Sequence, residues 1–199
     1  MRSSGLRGPV DAWNTVQDGN CFFDSLRIIL QFGLGIRITN EILRAMVVQS
    51  LLQNTSVLEN YGQLYHDARK AHNDEILEET RFMQGTIMLN QNQNQNQNQN
   101  RKWNLQKLYE NLMNPRLYWG DTFALNFFQE KLNLTFLIIF HKKNSYRLHS
   151  FIHPRDRHRS YFALLSLKDK HYRPLSYQNK FLLTLDELPI PVLRQLRQR

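Results

Sequence analysis

Cys21 stands directly behind Asp18-Gly19-Asn20, opens the apolar stretch Phe22-Phe23-Asp24-Ser25-Leu26, and is the chain's single cysteine. A thiol in that place has two readings. Free cysteine is among the most buried residue types, so Cys21 can be a small core hydrophobe. Alternatively it is a nucleophile. An ordinary thiol, with a pKa of about 8.5, is mostly protonated near neutral pH. At the first turn of a helix, unpaired backbone N–H groups and the positive dipole end favour thiolate. Gly19 permits a turn that no β-branched residue could make. The same turn, Gly19 and Asn20, can present backbone N–H groups to the oxyanion of a tetrahedral intermediate.

A nucleophilic thiol needs a base, and the chain has seven histidines. His66 and His72 lie in polar sequence; His149 and His153 sit beside Arg147 and Arg155 in a basic run. His171 differs, because it follows the tight polar turn Lys168-Asp169-Lys170, precedes Tyr172 and begins a predicted strand. A strand edge at the end of a hairpin is a rigid platform for an imidazole. Spacing favours His171 without deciding for it.

The elements that would carry these groups follow from periodicity. Phe22, Leu26, Ile29 and Leu30 recur at helical spacing behind Cys21, and Gly33 and Gly35 end that helix. Thr39 or Asn40 caps a second helix with Ile42, Met46, Val47 and Leu51 as its inward face. Further helices are predicted over 57–70, 74–83, 105–113 and 122–132, the last with Asp121 as N-cap. Residues 134–140, LTFLIIF, read as a strand buried on both faces, and 145–153 alternate as a half-buried strand would. Residues 161–167 and 171–175 read as a hairpin, and the C-terminal end as a short helix with apolar Val192, Leu193 and Leu196. Helices in front of an antiparallel-rich sheet give an α+β class. The alternating amide tract at 90–100 has nothing to bury and reads as an exposed insertion.

Three segments, in order and at workable spacing, resemble the ovarian-tumour (OTU) family of cysteine proteases. They are QDGNCFFDSL at 17–26, YWGDTFALNFFQEKLNLTFLIIF at 118–140 and YFALLSLKDKHYRPL at 161–175. The family's pattern is Asp-Gly-Asn-Cys at a helix start, a Trp-Gly-[Asp/Gly] loop leading into a helix and strand, and His-Tyr on a late strand. The resemblance implies a papain-like fold with a central, mostly antiparallel sheet flanked by helices. It places a single catalytic domain at 13–177, interrupted by the low-complexity insertion at 84–102 and followed by a basic tail at 178–199.

The resemblance also implies an activity: hydrolysis of isopeptide bonds after the C-terminal glycine of ubiquitin. On it, Cys21 forms the thioester, and His171 is the base that deprotonates the thiol and the acid that protonates the departing amine. Asp18 is the acidic partner or shapes the oxyanion loop; as a turn residue it can also cap the Cys21 helix. Trp119 packs the loop before the helix at 122–132. The chain departs from the family at Arg173, where many members carry the Asp or Asn that orients the imidazole. The orienting group must then be Asp18 or an amide such as Asn14, or be missing, and a missing one implies a catalytically weak or inactive protein that binds ubiquitin. The partners implied are ubiquitin or polyubiquitin conjugates, or ubiquitin-like modifiers, with no metal and no cofactor. Asp24, Glu41 and Glu59 are candidates for an acidic complement to the Arg-containing ubiquitin tail.

Composition agrees with a globular protein: 199 residues, 41% hydrophobic and 22% charged. One cysteine excludes an internal disulfide framework and points to a reducing compartment. No apolar leader opens the chain and no run is long enough to span a bilayer, so a cytoplasmic location is expected, in the host cytoplasm for a viral or pathogen protein; a monomer is expected. The net charge of +9 is uneven, with 13 Lys/Arg against 4 Asp/Glu over 141–199 and 13 of each before that. A nucleic-acid module would use such a basic stretch, but no nucleic-acid-binding signature accompanies it, and nucleic acid is not an expected partner.

Overall fold

A computed structural model describes residues 10–88, 102–142, 145–150 and 160–197. The amide tract at 90–100 and His153 lie outside them. The chain divides into two compact units, Met1–Leu43 with Gly120–Arg199, and Arg44–Trp119.

The first unit begins with β1 (Val10–Ala12) and α1 (Cys21–Leu34), and then the start of α2 (Asn40–Leu52). Cys21 is the first residue of α1, and the helix runs through Gly33 to stop at Gly35. The second unit takes the rest of α2, then α3 (Thr55–Lys70), α4 (Asp74–Glu79) and a 3-10 turn at Arg81–Met83. Next come β2 (Ile87–Met88) and β3 (Lys102–Trp103), an antiparallel pair that brings together the two ends of the insertion, and α5 (Leu105–Met113). The inward face of α2 differs from the expected one. Leu43, Arg44, Val47, Val48 and Leu51 are buried, whereas Ile42 is 52% and Met46 38% exposed. The face is turned because Arg44 is inside: its guanidinium donates to the Leu112 and Tyr118 carbonyls at 3.0 and 2.5 Å. A buried cation with carbonyl partners is stable in a way that an unpaired one is not.

The chain returns to the first unit with α6 (Thr122–Leu132), whose N-cap Asp121 accepts from the Ala124 N–H. Then follow β4 (Leu134–Lys142), β5 (Ser145–Ser150), β6 (Tyr161–Lys168), β7 (His171–Tyr177), β8 (Leu182–Leu183) and α7 (Ile190–Arg197). The sheet has the order β1-β7-β6-β4-β5, with β8 on the start of β6. Only β4 and β6 run parallel; the other pairings are antiparallel. Residues 134–139 of β4 are all buried, as a strand covered on both faces requires. Leu137 and Ile139 pack toward Leu188 and Val192, while Phe136 meets Phe22 of α1 at a ring distance of 6.2 Å. The stretch expected as a basic tail thus supplies a strand to this sheet and a helix to its core. Between that strand and helix, a 3-10 turn at Leu185–Glu187 is tied by a capping box between Thr184 and Glu187.

Two features of this unit position the candidate site. The β6–β7 hairpin turns on Asp169 and Lys170, both at positive φ (51° and 62°), and delivers His171 as the first residue of β7. On the far side of β7, β1 pairs with register Val10↔Tyr177 to Ala12↔Leu175. The register runs on past the strand, since the Trp13 N–H donates to the Pro174 carbonyl at 3.1 Å. The segment after β1 is therefore led along Arg173, Tyr172 and His171.

Candidate active site

Cys21 is 5% exposed at the mouth of α1. Gly19 holds φ +87°, and Asn20 is the N-cap, its carbonyl accepting from the Asp24 N–H at 2.7 Å. Asn20 makes no side-chain cap bond; instead its backbone N–H and side-chain amide donate to Asp18 at 3.0 and 3.3 Å. Asp18 is exposed and closes this turn rather than capping the helix. The Tyr172 N–H donates to the Cys21 sulfur at 3.5 Å, which seats the thiol against the residue next to His171, 151 positions away.

The helix mouth does not make the resting thiol acidic. Burial pushes the Cys21 thiol above its ordinary value. The N–H groups of Tyr172, Phe22 and Cys21 itself pull it back, burial outweighs them, and the nearby Asp18 carboxylate adds to the rise. His171 is moved the other way, below its ordinary value, first by burial and then by the charge of Arg173. Both shifts favour a neutral thiol and a neutral imidazole, not the thiolate that the helix dipole alone suggests.

The imidazole's partner is Thr15. Its Oγ1 lies 3.1 Å from His171 Nε2 and donates to the Tyr172 carbonyl at 2.6 Å. A hydroxyl has one proton; with that given to the carbonyl, Oγ1 can only accept from the ring. Nε2 therefore carries the hydrogen of the neutral imidazole, and Nδ1 keeps the lone pair. Neither expected orienter has this position. Asn14 is exposed, and Asp18 bonds Asn20. No sequence signal singles out Thr15 from its neighbours.

Two further side chains frame the site. Asp24, expected as a surface acid, is buried: one carboxylate oxygen accepts from the Val16 N–H at 3.1 Å, the other from Arg27 Nε at 2.8 Å. It is therefore not free to meet a basic partner, whereas Glu41 and Glu59 are exposed. Gly120 holds φ +86° with Phe22 pressed against it, so the Trp-Gly-Asp loop approaches α1 where only a hydrogen fits.

In three dimensions the chain matches an ovarian-tumour (OTU) domain solved in complex with ubiquitin. The match covers 93% of this chain and 83% of that one, at TM-score 0.53 and 12% identity. This chain has the OTU fold. An OTU deubiquitinase from Wolbachia pipientis wMel bound to ubiquitin matches over 86% of this chain and 98% of its own, at TM-score 0.47 and 18% identity. The viral OTU domain protease from Farallon virus matches over 86% of each, at TM-score 0.47 and 16% identity. No family model and no curated protein matches the sequence. Within the OTU fold of this chain, no described helix is long and apolar enough to cross a membrane.

Proposed function

We propose that the protein is a thiol-dependent deubiquitinase, acting on ubiquitin or polyubiquitin conjugates, with Cys21 as nucleophile and His171 as base and acid. The observation that supports this reading is the Thr15 hydroxyl, which fixes the imidazole tautomer of His171, the residue next to the Tyr172 N–H that meets the thiol at the helix mouth. In the proposed cycle Nδ1 of His171 takes the Cys21 proton as sulfur attacks the carbonyl of the terminal glycine. The oxyanion is received by the Cys21 N–H and the Asp-Gly-Asn turn. The tetrahedral intermediate expels the lysine amine, which leaves with the proton from Nδ1, and a thioester remains. Water, deprotonated by the same nitrogen, then releases the ubiquitin carboxylate and restores the thiol. A ubiquitin probe with an electrophile in place of its C-terminal carboxylate tests the reading: it should attach to the wild type and not to Cys21→Ala. Intact wild-type protein with no adduct would exclude it.

A second reading, a ubiquitin-binding protein without turnover, is supported by the buried, protonated thiol and by Arg173 in the place of an imidazole acceptor. The two part on the same sample, because a binder would hold ubiquitin and leave every diubiquitin linkage uncut.

The lowered position of His171 also predicts a pH dependence. The base is lost when the ring is protonated, so the rate of probe attachment should fall on the acid side only below the ordinary histidine range. Arg173→Gln removes one of the two causes that lower it. The ring then holds its proton to higher pH, and the acid limb should move up. A limb that stays in place or moves down in a pH series of attachment rates would contradict this.

A further inference from the structure

We propose that Asp24 is a positioning residue for the imidazole of His171, acting through the Val16 N–H and the Thr15 hydroxyl. The inference rests on the reading of Cys21 and His171 as a working pair. After Trp13 the chain leaves the ladder and crosses to α1 without regular structure. Thr15 sits in that crossing, and its hydroxyl can hold Tyr172 and His171 only if the crossing itself is held. The adjacent peptide is gripped at Val16, whose N–H ends on Asp24 Oδ2 at 3.1 Å. The grip is fixed in turn. Asp24 Oδ1 receives Arg27 Nε at 2.8 Å and Nη2 at 2.7 Å, and Arg27 Nη1 reaches Gln31 at 3.2 Å along the same helix.

The placement of this carboxylate has no simpler account. Asp24 is not the cap of α1, which is Asn20, and the acid is 5% exposed. Burying a carboxylate is unfavourable unless its oxygens are bonded, and each oxygen here has a donor. One donor is on its own helix; the other is the loop that holds Thr15. The anion thus joins the helix that presents the sulfur to the strand end that orients the base.

Asparagine at 24 has one acceptor atom where aspartate has two, so either Val16 or Arg27 loses its partner. The test reads the thiol directly. Because Cys21 is the only cysteine, iodoacetamide attached to the full chain reports one site. In that step the S–C bond forms, iodide leaves and the thiol proton passes to Nδ1. Asp24→Asn and Thr15→Ala should each slow alkylation on the order of tenfold, in a setting where a shift of ~1 Å can cost about a hundredfold. The double variant should be no slower than Thr15→Ala alone, because residues acting in series do not add. In nitrogen-detected NMR the His171 ring should change from the Nε2–H tautomer to a mixture in both single variants.

Multiplying effects in the double variant, or an unaltered rate and tautomer in Asp24→Asn, overturn the inference. Should Asp24→Asn lose its fold, Arg27→Gln, which leaves the carboxylate in place, enters the same cycle under the same criteria. The underlying pair is judged separately: a His171→Gln rate equal to wild type removes Cys21–His171 itself. Absence of ubiquitin cleavage with the coupling intact removes only the substrate.

Discussion

His171→Gln is expected to lower the rate of ubiquitin release from an isopeptide conjugate about 10³-fold, within the range of about 10²–10⁴ that general acid–base catalysis supplies. The expectation is large because the thiol begins protonated. Burial holds the Cys21 pKa above its ordinary value, so at neutral pH little thiolate exists for substrate to meet. The proton must leave during attack, and Nδ1 of His171 is the acceptor that the Thr15 bond leaves open. Glutamine keeps an amide that can reach Thr15 but takes no proton at this pH. His171 is half-buried at a strand end, so the fold should survive, and an unchanged melting temperature would show it. The part of the deficit that comes from the missing base should shrink as the pH rises toward the thiol's own ionisation, whereas the part that comes from the missing acid for the departing amine should not. Single-turnover cleavage of a fluorogenic ubiquitin conjugate measures both effects. A variant retaining a tenth of the wild-type rate at neutral pH would place the base elsewhere.

Where local chemistry fixes an element, the sequence is a sufficient guide. Asp121 before a helical run is a cap because its carboxylate meets an N–H three residues on, and it does so here. The apolar run at 134–139 has no polar face to show to water, so a strand covered on both sides follows. Asp169-Lys170 between two alternating runs turns as expected. The position of Cys21 at the start of α1 belongs with these. Three features were not legible, and each depends on a partner distant in sequence. Thr15 rather than Asn14 meets the imidazole because the chain leaves the ladder after Trp13, and only the course of the crossing to α1, held by contacts distant in sequence, decides which neighbour turns toward His171. The face of α2 is turned by Arg44, whose burial depends on carbonyls 68 and 74 positions later. Asp24 looked like a surface acid because nothing local shows that the Val16 N–H needs an acceptor. The protonation of the thiol is of the same kind: dipole and turn are local, burial is not.

Gly120→Ala tests the other half of the site's construction, the contact that fixes Phe22. A methyl at residue 120 would lie 2.5 Å from Phe22 Cδ1 and 3.0 Å from Cγ, well inside van der Waals contact. The ring cannot yield cheaply. It is 1% exposed, with Phe23 and Tyr172 set edge-on at ring distances of 5.3 and 5.5 Å. Overpacking a filled core costs about 1–3 kcal/mol. The positive φ of 86° adds a further ~1–2 kcal/mol for any L-residue. A loss of roughly 2–5 kcal/mol follows, and for a chain of this size each kcal/mol lowers the melting temperature by about 2–4 °C. Gly35→Ala separates the two causes, since φ there is +70° and nothing lies within 4 Å of the added carbon. That variant should lose only the smaller, conformational part. Phe22 is also the residue after the nucleophile, and its N–H is one of the groups that face the sulfur. A displaced ring should therefore slow alkylation of Cys21 as well as lower stability, whereas Gly35→Ala, at the other end of the helix, should leave the rate alone. If the two variants melt together, the pressure of Phe22 on the Trp-Gly-Asp loop is not what holds the thiol in place.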